Sequence, residues 1–190
     1  MNSMKSAFDT TDEEEIIKRC LDGDGEEYAL LVDRYKDMAY NIAYRMVGDG
    51  DIAKDLAQES FISAYGALEE FRRGSKFSSW LYRIVVNKCK DHLRAGRETV
   101  QVDEMSDIIS AGERNPEQAA SARQTGDVLQ KALVALPVEY RDVIVLKHLE
   151  ELDYQEIAEI LGGTVNSLKV RAHRGREMLK QLLEGMGVGA

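Results

Sequence analysis

Apolar positions along this chain recur every three to four residues, and no stretch alternates apolar with polar as a strand would. Tyr28, Leu31, Val32, Tyr35, Ala39, Ile42, Ala43 and Met46 form one helical stripe, ended by Gly48-Asp49-Gly50. Ile52, Leu56, Ser60, Ala64 and Leu68, with Phe61 beside them, predict the inner side of a second helix. A third is predicted from about Ser78 to Arg94, burying Leu81, Ile84, Val85 and Cys89, and a helical lead covers residues 13–21. Between residues 98 and 112 the periodicity lapses. Asn115-Pro116-Glu117 then reads as a helix start, and Pro137 opens a further helix that turns Tyr140, Val143, Ile144, Leu146 and Leu149 inward. The fold class is therefore all-α: two small helical domains, residues 1–97 and 115–184, joined by a linker over 98–114 and followed by a tail, 185–190. Val102, Met105, Ile108 and Ile109 predict that the linker docks rather than waves free.

The end of the second domain, DYQEIAEILGGTVNSLKVRAHRGREMLK from Asp153 to Lys180, has the layout of a helix-turn-helix. A short amphipathic segment (Tyr154, Ile157, Ala158, Leu161) stops at Gly162-Gly163, and Thr164 caps a second helix. Leu168, Ala172, Gly175, Leu179 and Leu182 share one face of that helix, and Asn166, Val170, His173 and Glu177 lie opposite. Lys169, Arg176 and Lys180 flank the outer face on one side, Arg171 and Arg174 on the other. A helix seated in the major groove needs this arrangement, with base-reading side chains in the centre and cations reaching phosphates on both flanks. An amphipathic hairpin with a solvated basic face has the same pattern.

Charge sharpens this reading. The formal net charge of −9 disfavours a nucleic-acid partner at first sight. Residues 71–97, however, hold eight cations against Asp91 alone, a net +7, and residues 166–183 hold five against Glu177, a net +4. The remainder carries −20. Two basic patches in an acidic body can bind DNA at chosen surfaces while the rest repels it, so naked DNA should be bound poorly.

On the third helix Arg83, Asn87, Lys90, Arg94 and Arg97 recur at one face, opposite Leu81 and Val85. Phe71, Phe77, Trp80 and Tyr82 are interleaved with Arg72, Arg73 and Lys76 just upstream. Cations track a phosphate backbone, and exposed aromatics stack on unpaired bases. Core packing is the commoner fate of such aromatics, and for Phe77 and Trp80 taken alone it is favoured. Asp55, Gln58, Glu59 and Ile62 share the outward face of the second helix, an acidic patch with an exposed isoleucine suited to a basic partner helix. A solvated acidic face would look much the same.

Catalytic readings find no support in the motifs. His92, His148 and His173 are scattered, with no HExxH, nucleophile elbow or glycine-rich phosphate loop. Cys89 and His92 sit one turn apart, but no further ligand has suitable spacing, so no metal or other cofactor is expected. Cys20 and Cys89 match no CxxC pattern. The N-terminus is no signal peptide and no apolar run reaches the length of a membrane span, which predicts a cytoplasmic protein without membrane insertion.

With both domains read, the chain resembles the compact extracytoplasmic-function (ECF) group of bacterial RNA polymerase sigma factors, of the sigma-70 family. RMVGDGDIAKDLAQESFISAY carries the pattern around D-x-x-Q-E-x-F at Asp55, Gln58, Glu59 and Phe61. FSSWLYRIVVNKCKDHLR carries F-x-x-W-L-x-R-I-x-x-N-x-x-x-D-x-x-R at Phe77, Trp80, Leu81, Arg83, Ile84, Asn87, Asp91 and Arg94. LPVEYRDVIVLKHLEELDYQEIAEILG followed by LKVRAHRGRE matches the pattern of the second domain. The resemblance spans residues 27–94 and 130–183 and implies a subunit without catalytic activity. Asp55, Gln58, Glu59 and Ile62 would dock on the β′ clamp helices of core RNA polymerase, with the β flap as a further contact. Lys76, Phe77, Trp80, Arg83, Asn87, Lys90 and Arg94 would recognise and help melt the −10 element. Asn166, Ser167, Lys169, Val170, Arg171, His173, Arg174 and Arg176 would read the −35 element. Asn166 replaces a residue that is often small and Val170 one that is often Ser, so the preferred −35 sequence does not carry over. An anti-sigma factor is a further implied partner. A stand-alone helix-turn-helix regulator is the competing reading, and it leaves the surfaces of the first domain without a role.

Overall fold

The computed structural model describes residues 10–71, 75–100 and 120–187, and every regular element among them is helical. The first group comprises α1 (Thr10–Leu21), α2 (Tyr28–Val47), α3 (Gly50–Gly66) and α4 (Phe77–Val100). Helix α2 stops at Gly48, whose φ of 82° is left-handed. Asp49 then caps α3, accepting the Asp51 and Ile52 amides at 2.9 Å each. Leu31, Ile42, Met46, Leu81 and Val85 are wholly buried where α2, α3 and α4 pack together. The Tyr28 hydroxyl donates to the Phe61 carbonyl at 2.9 Å, tying α2 to α3. The lead helix α1 is held by Arg34, which reaches Asp12 at 2.7 Å and Glu13 at 3.3 Å.

The second group comprises α5 (Ala120–Ala135), α6 (Val138–Ile144), a π turn continuing it (Val145–Leu149), α7 (Tyr154–Leu161) and α8 (Val165–Gly185). Both helices of the helix-turn-helix begin in capping boxes. The Asp153 carboxylate accepts the Gln155 and Glu156 amides, while Glu156 accepts the Asp153 amide. Thr164 and Ser167 exchange the same pair of bonds at the start of α8. Gly175 lets α8 lie directly on α6, since an added Cβ would sit 2.9 Å from Ile144 Cγ1 and 3.3 Å from Tyr140 Cβ.

The sequence expectations hold with adjustments. Helix α4, expected from about Ser78, starts at Phe77 and runs to Val100, beyond the expected end near Arg94. No proline interrupts it, and the first residues of the expected linker are helical. The rest of that linker with its apolar residues, the Asn115-Pro116 start, and Arg72 and Arg73 lie outside the described residues. Helix α6 buries Arg141 and Asp142 among its apolar residues, which the apolar pattern did not foretell.

The two groups rest directly against each other, α4 on α7 and α2 on α5 and α6. One continuous core runs from Ile16 in α1 to Ala172 in α8, with a smaller cluster of Leu133, Leu136 and Ile144 beside it. Polar bonds cross the same boundary. Gln130 donates to the Tyr44 carbonyl at 2.8 Å, and Arg141 donates to the Met46 carbonyl near the end of α2. The same guanidinium donates to the Leu136 carbonyl at 2.9 Å. A hydrogen bond to a charged group is worth about 1.5–3 kcal/mol net, and truncating one partner leaves the other buried and unsatisfied.

Candidate nucleic-acid interfaces

Helix α8 buries Leu168, Ala172 and Gly175 and turns its opposite face to solvent. Asn166, Val170 and His173 form the centre of that outer face, with Val170 half exposed at 50%. An apolar side chain kept in solvent at this place is suited to contact a thymine methyl. Lys169, Arg174 and Arg176 are exposed along the flanks, and Lys169 Nζ also lies 5.9 Å from the Tyr154 ring.

Two residues of the expected −35 set have other duties. The Arg171 guanidinium lies 2.7 Å from Asp142 Oδ1 and donates to the Glu139 carbonyl. Asp142 is fully buried, so its charge needs that partner. Arg171 is thus a strut between α8 and α6 rather than a cation free to meet DNA. The Ser167 hydroxyl donates to the Thr164 carbonyl at 2.8 Å and accepts the Thr164 amide, so it is occupied by the cap.

On α4 the expected stripe is largely on the surface. Lys76, Arg83, Asn87 and Arg94 are exposed, and Lys90 is partly buried. The side chain of Arg97 lies outside the described residues. Phe77 corrects the reading: it is fully buried, its ring 5.6 Å from Tyr35, 5.8 Å from Phe71 and 5.6 Å from Trp80. An aromatic cluster at the start of α4 holds it in the core, away from any base. Trp80 stays partly exposed, its inner face against Phe71 at 5.4 Å. Tyr82 is also buried, where its hydroxyl donates to Glu150 Oε2 at 2.8 Å.

On α3, Asp55, Gln58, Glu59 and Ile62 are all exposed, and Ile62 is 72% accessible. Their neighbours Leu56, Ser60 and Phe61 are buried, so the acidic strip with its isoleucine projects from a rigid base. Lys88 of α4 lies 3.7 Å from Glu59 at its edge.

Several charged groups were legible in the sequence only as solvated positions. Lys76 Nζ lies 2.7 Å from Glu156 Oε1 of α7, and the pair raises the lysine pKa and lowers that of the glutamate. Burial raises the Glu150 carboxyl above its ordinary range, partly offset by the hydrogen bond from Tyr82. Lys90 Nζ lies 2.6 Å from Asp142 Oδ2. The Arg141-Asp142 dipeptide inside an apolar run was the one available signal, since charges in such a place must be paired.

Cys89 is fully buried and His92 is exposed, so they do not converge. Burial pushes the Cys89 thiol up to about 12. Among the described residues no three His, Cys, Asp or Glu side chains converge as metal ligands, and no helix is long and apolar enough to cross a membrane.

Comparison with known proteins follows the same division of the chain. Residues 31–99 match Sigma-70 region 2, and residues 126–179 match Sigma-70, region 4. The ECF RNA polymerase sigma factor SigW of Bacillus subtilis is 39% identical over 180 residues, covering 90% of this chain and 96% of that protein. The ECF RNA polymerase sigma-E factor of Escherichia coli K12 is 35% identical over 173 residues, covering 86% and 90%. Among solved structures, the sigma factor RpoE in complex with the anti-sigma factor NepR from Bartonella quintana aligns with a TM-score of 0.70 and 24% identity, over 84% of this chain and 98% of that one. CnrH in complex with the cytosolic domain of CnrY aligns with a TM-score of 0.67 and 24% identity, over 90% and 96%. These two share the fold.

Proposed function

Because the chain belongs to the ECF sigma factors of the sigma-70 family, we propose that its surfaces divide the work of promoter-specific initiation among named residues. Residues 1–97 act as the region that binds core RNA polymerase and the −10 element, and residues 115–184 as the region that binds the −35 element. Asn166, Val170 and His173 read −35 bases, with Lys169, Arg174 and Arg176 on the phosphates. Lys76, Trp80, Arg83, Asn87 and Arg94 receive the −10 strand. Unstacking a base step costs a few kcal/mol, and stacking of a flipped base on Trp80 offsets about 1–3 kcal/mol of it. Asp55, Gln58, Glu59 and Ile62 dock on the polymerase clamp. The protein carries no catalytic activity of its own and acts in the cytoplasm, where polymerase and promoter are. An anti-sigma partner is part of this reading, in keeping with the complexes of RpoE with NepR and of CnrH with CnrY.

The observation that carries the reading is the outer face of α8, exposed, with Val170 between the polar Asn166 and His173 at its centre, cationic at its flanks, and fixed by a capped turn. A face of this composition on a rigid frame reads a groove. The test is run-off transcription with purified core polymerase on a library of randomised promoters. Enrichment of templates sharing a −35 and a −10 motif, dependent on this chain, is the expected result. Sequence-specific duplex binding by the free chain at physiological salt, with no directed initiation, would favour the stand-alone regulator instead.

A further inference from the structure

We infer that the chain carries a site for a phosphorylated small molecule of the nucleotide class, in the cleft where α4 meets α6 and α8. The cleft encloses about 590 Å³, within the range of about 300–1,000 Å³ that sites for single small molecules occupy. Lys90 and Arg94 line it from α4, and Arg171 and Arg174 from α8. Against these four cations the lining holds two acids, Glu139 and Asp142 of α6, so its walls are net positive in a chain of net charge −9. Asp142 gives the cleft a built floor. Its carboxylate is fully buried and holds Lys90 at 2.6 Å and Arg171 at 2.7 Å. One anion thus fixes two cations from different helices and leaves one positive charge unbalanced. Lys90 meets Asp142 Oδ2 by charge alone, since that oxygen accepts no hydrogen bond, so the ammonium keeps its donors for a ligand. Arg94 and Arg174 are exposed at the rim. The 3.2 Å pairing of Arg94 with Asp91 is open to solvent and gives way readily.

The rest of the lining decides what the anion is attached to. Leu93, Val138 and Tyr140 complete the cleft, each partly buried. An inorganic anion would leave this apolar surface wet, whereas a ligand with a ring beside its phosphates covers it. Tyr140 supplies an aromatic ring against which a base stacks. A nucleoside di- or triphosphate brings the charge that four cations attract, and the forks of Arg94 and Arg174 suit paired phosphate oxygens. The sequence has no glycine-rich phosphate loop, so side chains rather than backbone amides make the grip. Duplex DNA is the poorer occupant, because it carries its phosphates on an outer surface and cannot bury one among three helices. Lys90, Arg94 and Arg174 are also assigned to promoter DNA above, but the cleft and its charges need none of those assignments. The nucleotide site therefore stands or falls apart from the initiation reading.

The probe is GTP carrying an N-methylanthraniloyl fluorophore on its ribose, titrated into the free full-length chain with neither DNA nor polymerase present. Saturable one-to-one binding in the micromolar range is expected, with displacement by unlabelled GTP or ATP and not by guanosine or inorganic phosphate at the same concentration. A titration without saturation, or displacement by inorganic phosphate or guanosine as effective as that by GTP, would overturn the inference. Position is read separately, by photo-attachment of azido-GTP and mass spectrometry of the digested chain. Peptides holding residues 90–94 or 138–140 should carry the label, and labelling confined to other peptides would rule the cleft out. A pair of variants adds a third readout. Val138→Asp sets a carboxylate in the cleft, and Ala29→Asp makes the same charge change at the exposed start of α2. Val138→Asp should bind the probe at least about tenfold more weakly than Ala29→Asp, through charge repulsion in a partly enclosed site. Equal affinities would sink the assignment. Leu93→Asp makes the same comparison from the α4 wall should Val138→Asp fail to fold.

Discussion

The Arg171 guanidinium lies 2.7 Å from Asp142 Oδ1, and Asp142 is fully buried. An arginine on the helix proposed to read DNA is therefore committed to the frame beneath it. Arg171→Ala should destabilise the second helical group by about 3 kcal/mol, because it leaves a buried carboxylate short of a partner. It should do so without changing which −35 base is preferred. Urea unfolding and promoter-library selection measure the two effects separately.

The exposed centre of α8 should respond in the opposite way. Asn166→Ala should leave unfolding unchanged and relax −35 preference at one position, costing about 1–3 kcal/mol. Arg174→Ala or Arg176→Ala should lower affinity evenly across sequences and reduce the salt slope by about one unit each. If holoenzymes carrying Asn166→Ala kept their preference at every −35 position, the assignment of the central face would fail.

Asp55→Lys should weaken association with purified core polymerase and leave the melting temperature and single-stranded DNA affinity as they are. Its side chain projects from α3 away from the core. Ile62→Ser should weaken assembly as well, by removing apolar area from the centre of the patch. Titration of labelled core with each variant, at two salt concentrations, checks both.

Gly175→Ala should cost about 1–3 kcal/mol of stability, since its Cβ would sit 2.9 Å from Ile144 Cγ1 in a packed seam. The same change at Gly126, where an added Cβ meets nothing within 4 Å, should be harmless or slightly stabilising. Differential scanning calorimetry of the two variants separates crowding from helix propensity.

Cys89 should resist thiol reagents at pH 8 in the folded chain and react on unfolding, because burial pushes its pKa up to about 12 from about 9. The raised value means the folded state holds the proton more tightly. Its contribution to stability is therefore complete below pH 9 and is lost as pH rises from 9 towards 12. Timed alkylation with and without urea, and unfolding at increasing alkaline pH, are the measurements.

Periodicity was enough to place the helices, because each buries a stripe of three to four residues per two turns. The helix-turn-helix was legible down to its cap: Gly162-Gly163 and Thr164 stand where the turn and the second helix begin. What periodicity cannot show is which charged residues pair across the fold. Lys76, Lys90 and Arg171 read alike as surface cations, and each is tied to a carboxylate remote in sequence. Phe77 carried the opposite ambiguity, since an aromatic beside a basic stripe serves a core or a base equally well on paper. Its burial follows from three rings that meet it from α2, from the segment before α4 and from α4 itself.

The exposed strip on α3 and the outer face of α8 both stay uncovered while α7 lies on α4. Neither surface is spent on the seam between the two helical groups, so each can be altered and scored without disturbing the contact that joins them.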